Sequence, residues 1–501
     1  MDEHNEKLVG YVHPGDWVNP EPAAKYNMVV VGGGPAGLIV AAAASGLGAK
    51  VALIERHLLG GDCLNVGCVP SKCLIASSRV AAAFRDSSRF GVGFSSPEVD
   101  FGMVMERMRK VRARISHVDS AKRYTEELGV DMFLGSAEFS GRNTVKVGGA
   151  ELKFTRACIS TGARAVELPI EGLADVGFLT NETVFELTEQ PKRLAVIGSG
   201  PIGCELAQAF QNLGTQVTVV EMSDQVLGRE DRDAAKIVEE QMRRDGVEFR
   251  LGAATQRVTQ DGDDKILHIE IDGKYEEVRV DAILLGVGRQ PNVEGLNLDA
   301  AGVEYDARKG VTVNDYLQTS NPAIYAAGDI CMAWKFTHAA DFAARIVIQN
   351  ALFSVWGLGR KKLSSLIMPW CTYTHPEVAH VGMYAADAAA KGLETETYLQ
   401  ELDDVDRAVA DGGTEGFVKV LAAKGSDKIL GATIVAAHAG EMISEISVAM
   451  TNGLGLGAIA NTIHPYPTQA EAIRRVGDQY NKTRLTPGIK KWMERWMVFR
   501  L

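Results

Sequence analysis

Two cysteines five positions apart, Cys63 and Cys68, lie in the run Gly60-Gly61-Asp62-Cys63-Leu64-Asn65-Val66-Gly67-Cys68-Val69-Pro70-Ser71-Lys72. Thiols this close can exchange electrons, ligate a metal or sit inert in a core, and their surroundings decide among these. A regular helix is expected to begin at Pro70-Ser71-Lys72. Its positive end and the nearby lysine would lower a thiol pKa and favour the thiolate. A metal knuckle is disfavoured because no further Cys or His stands nearby at zinc spacing. The chain has seven cysteines, an odd number over 501 residues, so a secreted disulfide framework is not expected. Cys73, Cys158, Cys204, Cys331 and Cys371 read as small core residues.

The elements that must position these sulfurs come just before them. An apolar strand over 28–31 runs into Gly32-Gly33-Gly34-Pro35-Ala36-Gly37 and an alanine-rich helix from Leu38, and a strand over 51–54 ends in Glu55, 23 positions after Gly32. In such a G-x-G-x-x-G turn Gly32, Gly34 and Gly37 let the backbone approach a pyrophosphate. The helix offers free N–H groups, and Glu55 can accept from a ribose diol. The unit recurs: a strand over 194–197, then Gly198-Ser199-Gly200-Pro201-Ile202-Gly203, then a strand over 217–220 ending in Glu221, again 23 positions on. One such turn can be fortuitous; two with matching strand, helix and acid predict two dinucleotide sites. At the second, the Glu221 carboxylate repels a 2′-phosphate and no Arg or Lys follows before Arg229, which favours NADH over NADPH.

A chain of this length exceeds what a single core supports and suggests about three domains. The formal charge of −11, without clustered Lys or Arg in the main body, argues against nucleic-acid binding. The first 25 residues carry Asp2, Glu3, Glu6 and Lys7 and no uninterrupted apolar stretch, and no apolar run later in the chain is long enough to span a bilayer. A soluble, cytoplasmic protein is expected.

The cysteine run, both glycine units and Ile324-Tyr325-Ala326-Ala327-Gly328-Asp329 together resemble the pyridine nucleotide-disulfide oxidoreductases, which include dihydrolipoamide dehydrogenase, glutathione reductase and mercuric reductase. Matches run from Tyr26 nearly to Pro487. The resemblance implies an α/β fold of two Rossmann-type nucleotide-binding domains and a C-terminal α+β dimerisation domain. It divides the chain into an N-terminal extension (1–26), an FAD domain (27–185), an NAD(P) domain (186–295), an FAD-domain return (296–365), an interface domain (366–487) and a basic tail (488–501). It also implies a homodimer in which the last domain completes the other subunit's active site.

By the same resemblance Cys63 and Cys68 form a redox-active disulfide, Cys68 lying against the flavin as the charge-transfer thiolate and Cys63 attacking substrate. Residues five apart in an ideal helix sit about 8 to 9 Å apart, beyond the roughly 4.4 to 6.8 Å a disulfide tolerates, and Asn65 and Gly67 can supply the needed distortion. Lys72 resembles the lysine near the flavin and Glu205 its ion-pair partner. The resemblance assigns Gly61, Thr161, Gly162 and Asp329 to FAD beside the first turn, and Gly288 to the nicotinamide nucleotide beside the second.

The chain departs from the dithiol reductases at His464-Pro465-Tyr466-Pro467-Thr468-Gln469-Ala470-Glu471. Aligned on Pro467-Thr468 and Glu471, the family's catalytic histidine is replaced by Tyr466. A phenol of ordinary pKa about 10 is a poor proton acceptor at neutral pH. His464 keeps either a catalytic or a loop-bonding role. Mercuric reductase resembles this chain in carrying a tyrosine there, as also in the stretch Phe336-Thr337-His338-Ala339-Ala340. Its soft metal substrate wants thiolates more than a proton shuttle, with Cys63 and Cys68 as the metal-ligating pair and no structural metal. Mercuric reductases also end in a vicinal cysteine pair, whereas no cysteine follows Cys371, so delivery by that route is not expected.

In the tail, Trp492, Trp496 and Phe499 recur at i, i+4 and i+7 among Lys490, Lys491, Arg495 and Arg500. That pattern fits a helix resting on an anionic membrane or packed on its own dimer. The expected activity is NAD(P)H-dependent, FAD-mediated reduction of a soft metal ion such as Hg(II). The competing readings are a quinone-reducing diaphorase, a disulfide reductase of the dihydrolipoamide dehydrogenase kind, and a redox-sensing scaffold docked at a membrane.

Overall fold

The computed structural model describes residues 2–93, 98–354 and 356–501. It divides into two compact units, Met1–Met222 with Glu248–Ser365, and Ser223–Val247 with Leu366–Leu501.

In the first unit the runs of Val, Ile and Leu are strands buried on both faces, as central parallel strands must be. Tyr26–Val31 pairs in parallel with Val51–Glu55 on one side and Ala150–Ile159 on the other. Asp131–Leu134 extends the sheet beyond Val51–Glu55, and Ile324–Ala326 joins it beside Ala150–Ile159. This register brings Gly32, Ser160 and Ala327 to one end of adjacent strands, although the last is nearly three hundred positions from the first. A second parallel sheet runs Glu248–Leu251, Gln216–Glu221, Arg193–Ile197, Ala282–Leu285. An antiparallel meander, Ala254–Asp261, Asp264–Ile271 and Lys274–Val280, shares with it a core that includes Leu173, Ala195, Ile197, Leu267 and Ile283.

The second unit is built on a five-stranded antiparallel sheet in the order Pro369–Thr372, Glu377–Gly382, Ile429–Ala436, Phe417–Ala423, Thr395–Glu401. Helices Ala439–Thr451 and Glu471–Thr483 supply Ile443, Ile446, Ile473 and Val476 to its core. The segment 223–247 is fastened into this unit by polar contacts. Buried Glu230 accepts from Trp370 Nε1 at 2.9 Å and Tyr384 Oη at 2.7 Å, and Lys419 pairs with Asp231 and Asp233 at 2.5 and 2.9 Å. Pro487–Arg500 is a helix with no buried residue. Among the described residues no helix is long and apolar enough to cross a membrane.

Candidate functional site

At the first glycine turn Gly32 holds φ +106°, which an L side chain rarely adopts. A Cβ on Gly37 would lie 1.8 Å from Gly32 O, so glycine is dictated there by packing of helix Pro35–Gly46 against the strand end. Gly34 differs: a Cβ there would meet nothing closer than Gly61 Cα at 3.7 Å. The chain's own packing leaves that position free, whereas a pyrophosphate pressed to the backbone would require glycine. No side chain caps the helix at Gly34, so its first N–H groups face outward to an anion. Glu55 accepts from Gly33 N at 2.6 Å and His57 N at 2.7 Å, which fixes a carboxylate at the strand end.

The second turn repeats this geometry. Gly198 has φ +97°, a Cβ on Gly203 would lie 2.0 Å from Gly198 O, and one on Gly200 would stand 3.8 Å from its nearest neighbour. No side chain caps helix Pro201–Asn212, and Glu221 accepts from both Ser199 N and Ser199 Oγ at 2.7 and 2.9 Å. Both turns therefore fit a dinucleotide by the same criteria.

The short turns that follow are stitched together. Thr161 Oγ1 donates to Asn292 O and Asn292 Nδ2 to Thr161 O, both at 2.9 Å, while Ala163–Ala165 pairs with Arg289–Pro291. Gly162 and Gly288 hold φ +68° and +121°. Arg289 then reaches Asp329 at 3.4 Å, Asp62 beside Cys63, and the carbonyl of Ala163. Burial pushes the Asp329 carboxyl up, against the pull of Arg289.

The cysteine run forms two helices with a break between them, Gly61–Asn65 and Cys68–Arg85. The regular helix thus begins two residues before the expected Pro70, which makes Cys68 itself its first residue. Gly67 makes the break possible: a Cβ there would stand 2.8 Å from Asp62 O. Asn65 ends the first helix and turns its side-chain amide back to Leu59 O at 3.0 Å and Gly61 O at 2.8 Å. The two sulfurs are brought within hydrogen-bonding reach of each other.

Cys68 has much of its surface open to solvent but dense protein around it. Its thiol is pulled down to about 6, first by the hydrogen bond from Cys63 and then, against desolvation, by Thr337 and the charge of Lys72. Cys63 is pushed up because it donates that bond and is itself half-buried. The pair therefore carries one negative charge at neutral pH, on Cys68. Thr337 Oγ1 stands 3.3 Å from Cys68 Sγ, and Lys72 Nζ donates to buried Glu205 at 2.7 Å.

The three C-terminal candidates lie in the second unit, and each is bonded to a different neighbour. Tyr466 donates to Asp406 at 2.7 Å, which pushes its phenol further up. His464 meets Glu445 at 2.8 Å and Thr462 O at 2.9 Å. Glu471 accepts from Arg474 and Arg475 at 3.0 and 3.2 Å. Of the five cysteines expected in the core, Cys331 and Cys371 are only partly buried, Cys371 lying on the edge strand Pro369–Thr372. No group of three or more His, Cys, Asp or Glu side chains is placed to hold a metal among the described residues.

Sequence reasoning gave no role to Thr337, Arg112 or Asn181, the last two of which bond the loop carbonyls of Asn65 and Val66 at 2.7 and 3.2 Å. Thr337 carried one usable signal, a hydroxyl at the start of a helix shortly after Asp329.

The model of the family described as pyridine nucleotide-disulphide oxidoreductase matches residues 26–344, and the model of its dimerisation domain matches 368–476. A mercuric reductase from Lysinibacillus sphaericus is 36% identical over 457 residues, 91% of this chain and 83% of the relative. A dihydrolipoyl dehydrogenase from Chlamydia muridarum is 32% identical over 456 residues, 89% and 95% of the two chains. The solved Cu(II) complex of the HOCl-induced flavoprotein disulfide reductase RclA from Escherichia coli superposes with a TM-score of 0.81 at 27% identity, covering 91% of this chain and all (100%) of that one.

The Cys68 anion should be present above pH about 6 and lost as pH falls through that value. Thr337→Val removes a donor to the thiolate and is expected to raise the midpoint by about one unit. The measurement is ultraviolet thiolate absorbance against pH, with a Cys63→Ser/Cys68→Ser chain as blank.

Proposed function

Because the chain belongs to the pyridine nucleotide-disulphide oxidoreductase family, FAD-dependent enzymes that take electrons from NADH or NADPH, we propose that it reduces a soft metal ion such as Hg(II) at Cys63 and Cys68. The observation that carries this reading is the sulfur pair within hydrogen-bonding reach, with Thr337 Oγ1 3.3 Å from Cys68 Sγ and Lys72 fixed by Glu205 at 2.7 Å. Bound FAD supplies the two-electron relay between the nicotinamide and the dithiol.

The chain's own residues do the rest. The two helix ends without side-chain caps at Gly34 and Gly200 would hold the pyrophosphates of FAD and of the nicotinamide nucleotide, and Glu55 and Glu221 would meet their riboses. Gly61, Thr161, Gly162 and Asp329 would line the FAD, and Gly288 the nicotinamide nucleotide. Glu221 disfavours a 2′-phosphate, so NADH is the preferred donor. Lys72, held by Glu205, keeps a positive charge beside Cys68. Cys63 and Cys68 ligate the ion as thiolates, and the overall change is NAD(P)H plus Hg(II) to NAD(P)⁺, Hg(0) and one proton.

Tyr466 supports metal reduction over disulfide reduction. A phenol pushed up by its bond to Asp406 does not accept protons at neutral pH. One observation favours the second reading, a disulfide reductase: His464 bonded to Glu445 is the pairing a general base uses. Glu471, occupied by Arg474 and Arg475, serves the loop rather than either base.

The chain functions as a homodimer in the cytoplasm, and we infer that the helix Pro487–Arg500 rests on an anionic membrane surface. It lies beyond residue 476, where the dimerisation match ends. Trp492 and Trp496 stack at 6.2 Å, Phe499 adds to the row at 5.8 Å, and all three are exposed. Basic residues flanking such a row suit anionic headgroups.

Two measurements test these readings. Cys63→Ala/Cys68→Ala is expected to lower Hg(II)-dependent NADH oxidation by about a hundredfold or more while leaving quinone reduction intact. Retained metal-dependent oxidation sinks the metal reading, and lipoamide reduction that His464→Gln abolishes would favour the disulfide reductase. For the tail, the full chain should sediment with phosphatidylglycerol vesicles and not with phosphatidylcholine. Lys490→Ala/Lys491→Ala should weaken that binding more than about tenfold, at about 1 kcal/mol per charge.

A further inference from the structure

The N-terminal segment precedes the family match, which begins at residue 26, and contains no residue with an evident part in the chemistry. It is nonetheless folded. Glu3–Val12 is a helix whose Leu8 and Val12 are 3% and 0% exposed, and Asp2 caps it through Asn5 N at 2.8 Å while pairing with Arg109.

Two bonded routes lead from this segment to the loop between the sulfurs. In the first, Asn5 Oδ1 accepts from Arg112 Nη2 at 2.7 Å, and Arg112 Nη1 donates to Asn65 O at 2.7 Å. In the second, Val12 O accepts from Leu59 N at 3.2 Å, and Leu59 O accepts from the Asn65 side chain at 3.0 Å. Both routes end on Asn65, the residue that closes the Cys63 helix and precedes the break at Val66-Gly67.

The physical need is plain at Arg112. Its guanidinium is 2% exposed, and a buried cation is tolerated only with its hydrogens matched to acceptors. Glu186 supplies one acceptor at 3.0 Å, Asn65 another and Asn5 a third, while Arg112 Nε stays buried without a partner, so the loss of any of the three adds to that cost. Asn65 O is a helix-end carbonyl without an intrahelical partner, so without Arg112 it turns to solvent and the loop with it.

We propose that the helix Glu3–Val12 is a clamp on the dithiol loop: by bringing Asn5 as an acceptor to Arg112 it holds the Asn65 carbonyl, and thereby the spacing of Cys63 and Cys68. Asn5 and Arg112 are positioning residues, touching neither substrate nor sulfur.

The test follows the thiols directly. The purified flavin-containing protein, reduced with a phosphine under nitrogen, is treated with iodoacetamide. Modification at Cys63 and Cys68 is read by mass spectrometry beside buried Cys158, which reports general unfolding. Asn5→Ala, and a chain lacking residues 2–13, are expected to react about tenfold faster at the pair while Cys158 stays unmodified. Asn5→Asp keeps an acceptor for Arg112 and should restore the parent rate. Unchanged reactivity in Asn5→Ala overturns the clamp, and so does a rise at Cys158 in step with the pair. If the shortened chain does not fold, Asn5→Ala and Asn5→Asp decide alone.

Discussion

The hydrogen bond that Cys63 donates to Cys68 favours a proton on one sulfur and a negative charge on its neighbour, where surrounding protein makes charge costly to hold. Compensation arrives from several directions. Cys68 is the first residue of its helix, so the free N–H groups of that end lie at the charge. Thr337 brings a hydroxyl from the start of another helix, and Lys72 brings an ammonium one turn along. Glu205 works against the thiolate by its own charge yet holds Lys72 in place, so the site trades some stabilisation of the anion for a fixed cation.

What was legible in the sequence follows from how local each feature is. The glycine turns could be read because a positive φ at Gly32, a contact of 1.8 Å at Gly37 and a carboxylate at the next strand end are consequences of spacing within one supersecondary unit. The pairing of Lys72 with Glu205 crosses 133 positions and came only through family resemblance. Arg112 could not be singled out, because Arg107, Arg109, Arg112 and Arg114 share one helix and sequence does not tell which of them is buried. The helix starting at Cys68 rather than Pro70 was missed for a related reason. Proline marks a tolerated first turn, not the first residue, and Gly67 made the earlier start possible.

The electron-supplying half and the accepting half of the molecule differ in how far they keep to the family. Both nucleotide turns satisfy every local requirement of a dinucleotide site, down to the two glycines that the chain's own packing does not need. The segment 464–471 departs, with a phenol tied to Asp406, a histidine tied to Glu445 and a carboxylate taken up by two arginines.

That division bears on which acceptor suits the dithiol. An organic disulfide attacked by a thiolate leaves as a thiolate and must be given a proton by a nearby group, at neutral pH and on each turnover. A soft metal ion makes no such demand. In the proposed reaction it would bind first to the sulfur with the lowered pKa, Cys68, and its positive charge would then take the proton from Cys63, as a coordinated thiol is deprotonated outright. The raised Cys63 thiol would then need no base for a metal ion, whereas a disulfide substrate would need one such as His464. On the proposed reading, a site with one thiolate, one raised thiol and Tyr466 suits a metal ion, whereas a disulfide would call on His464 beside Glu445 as its base.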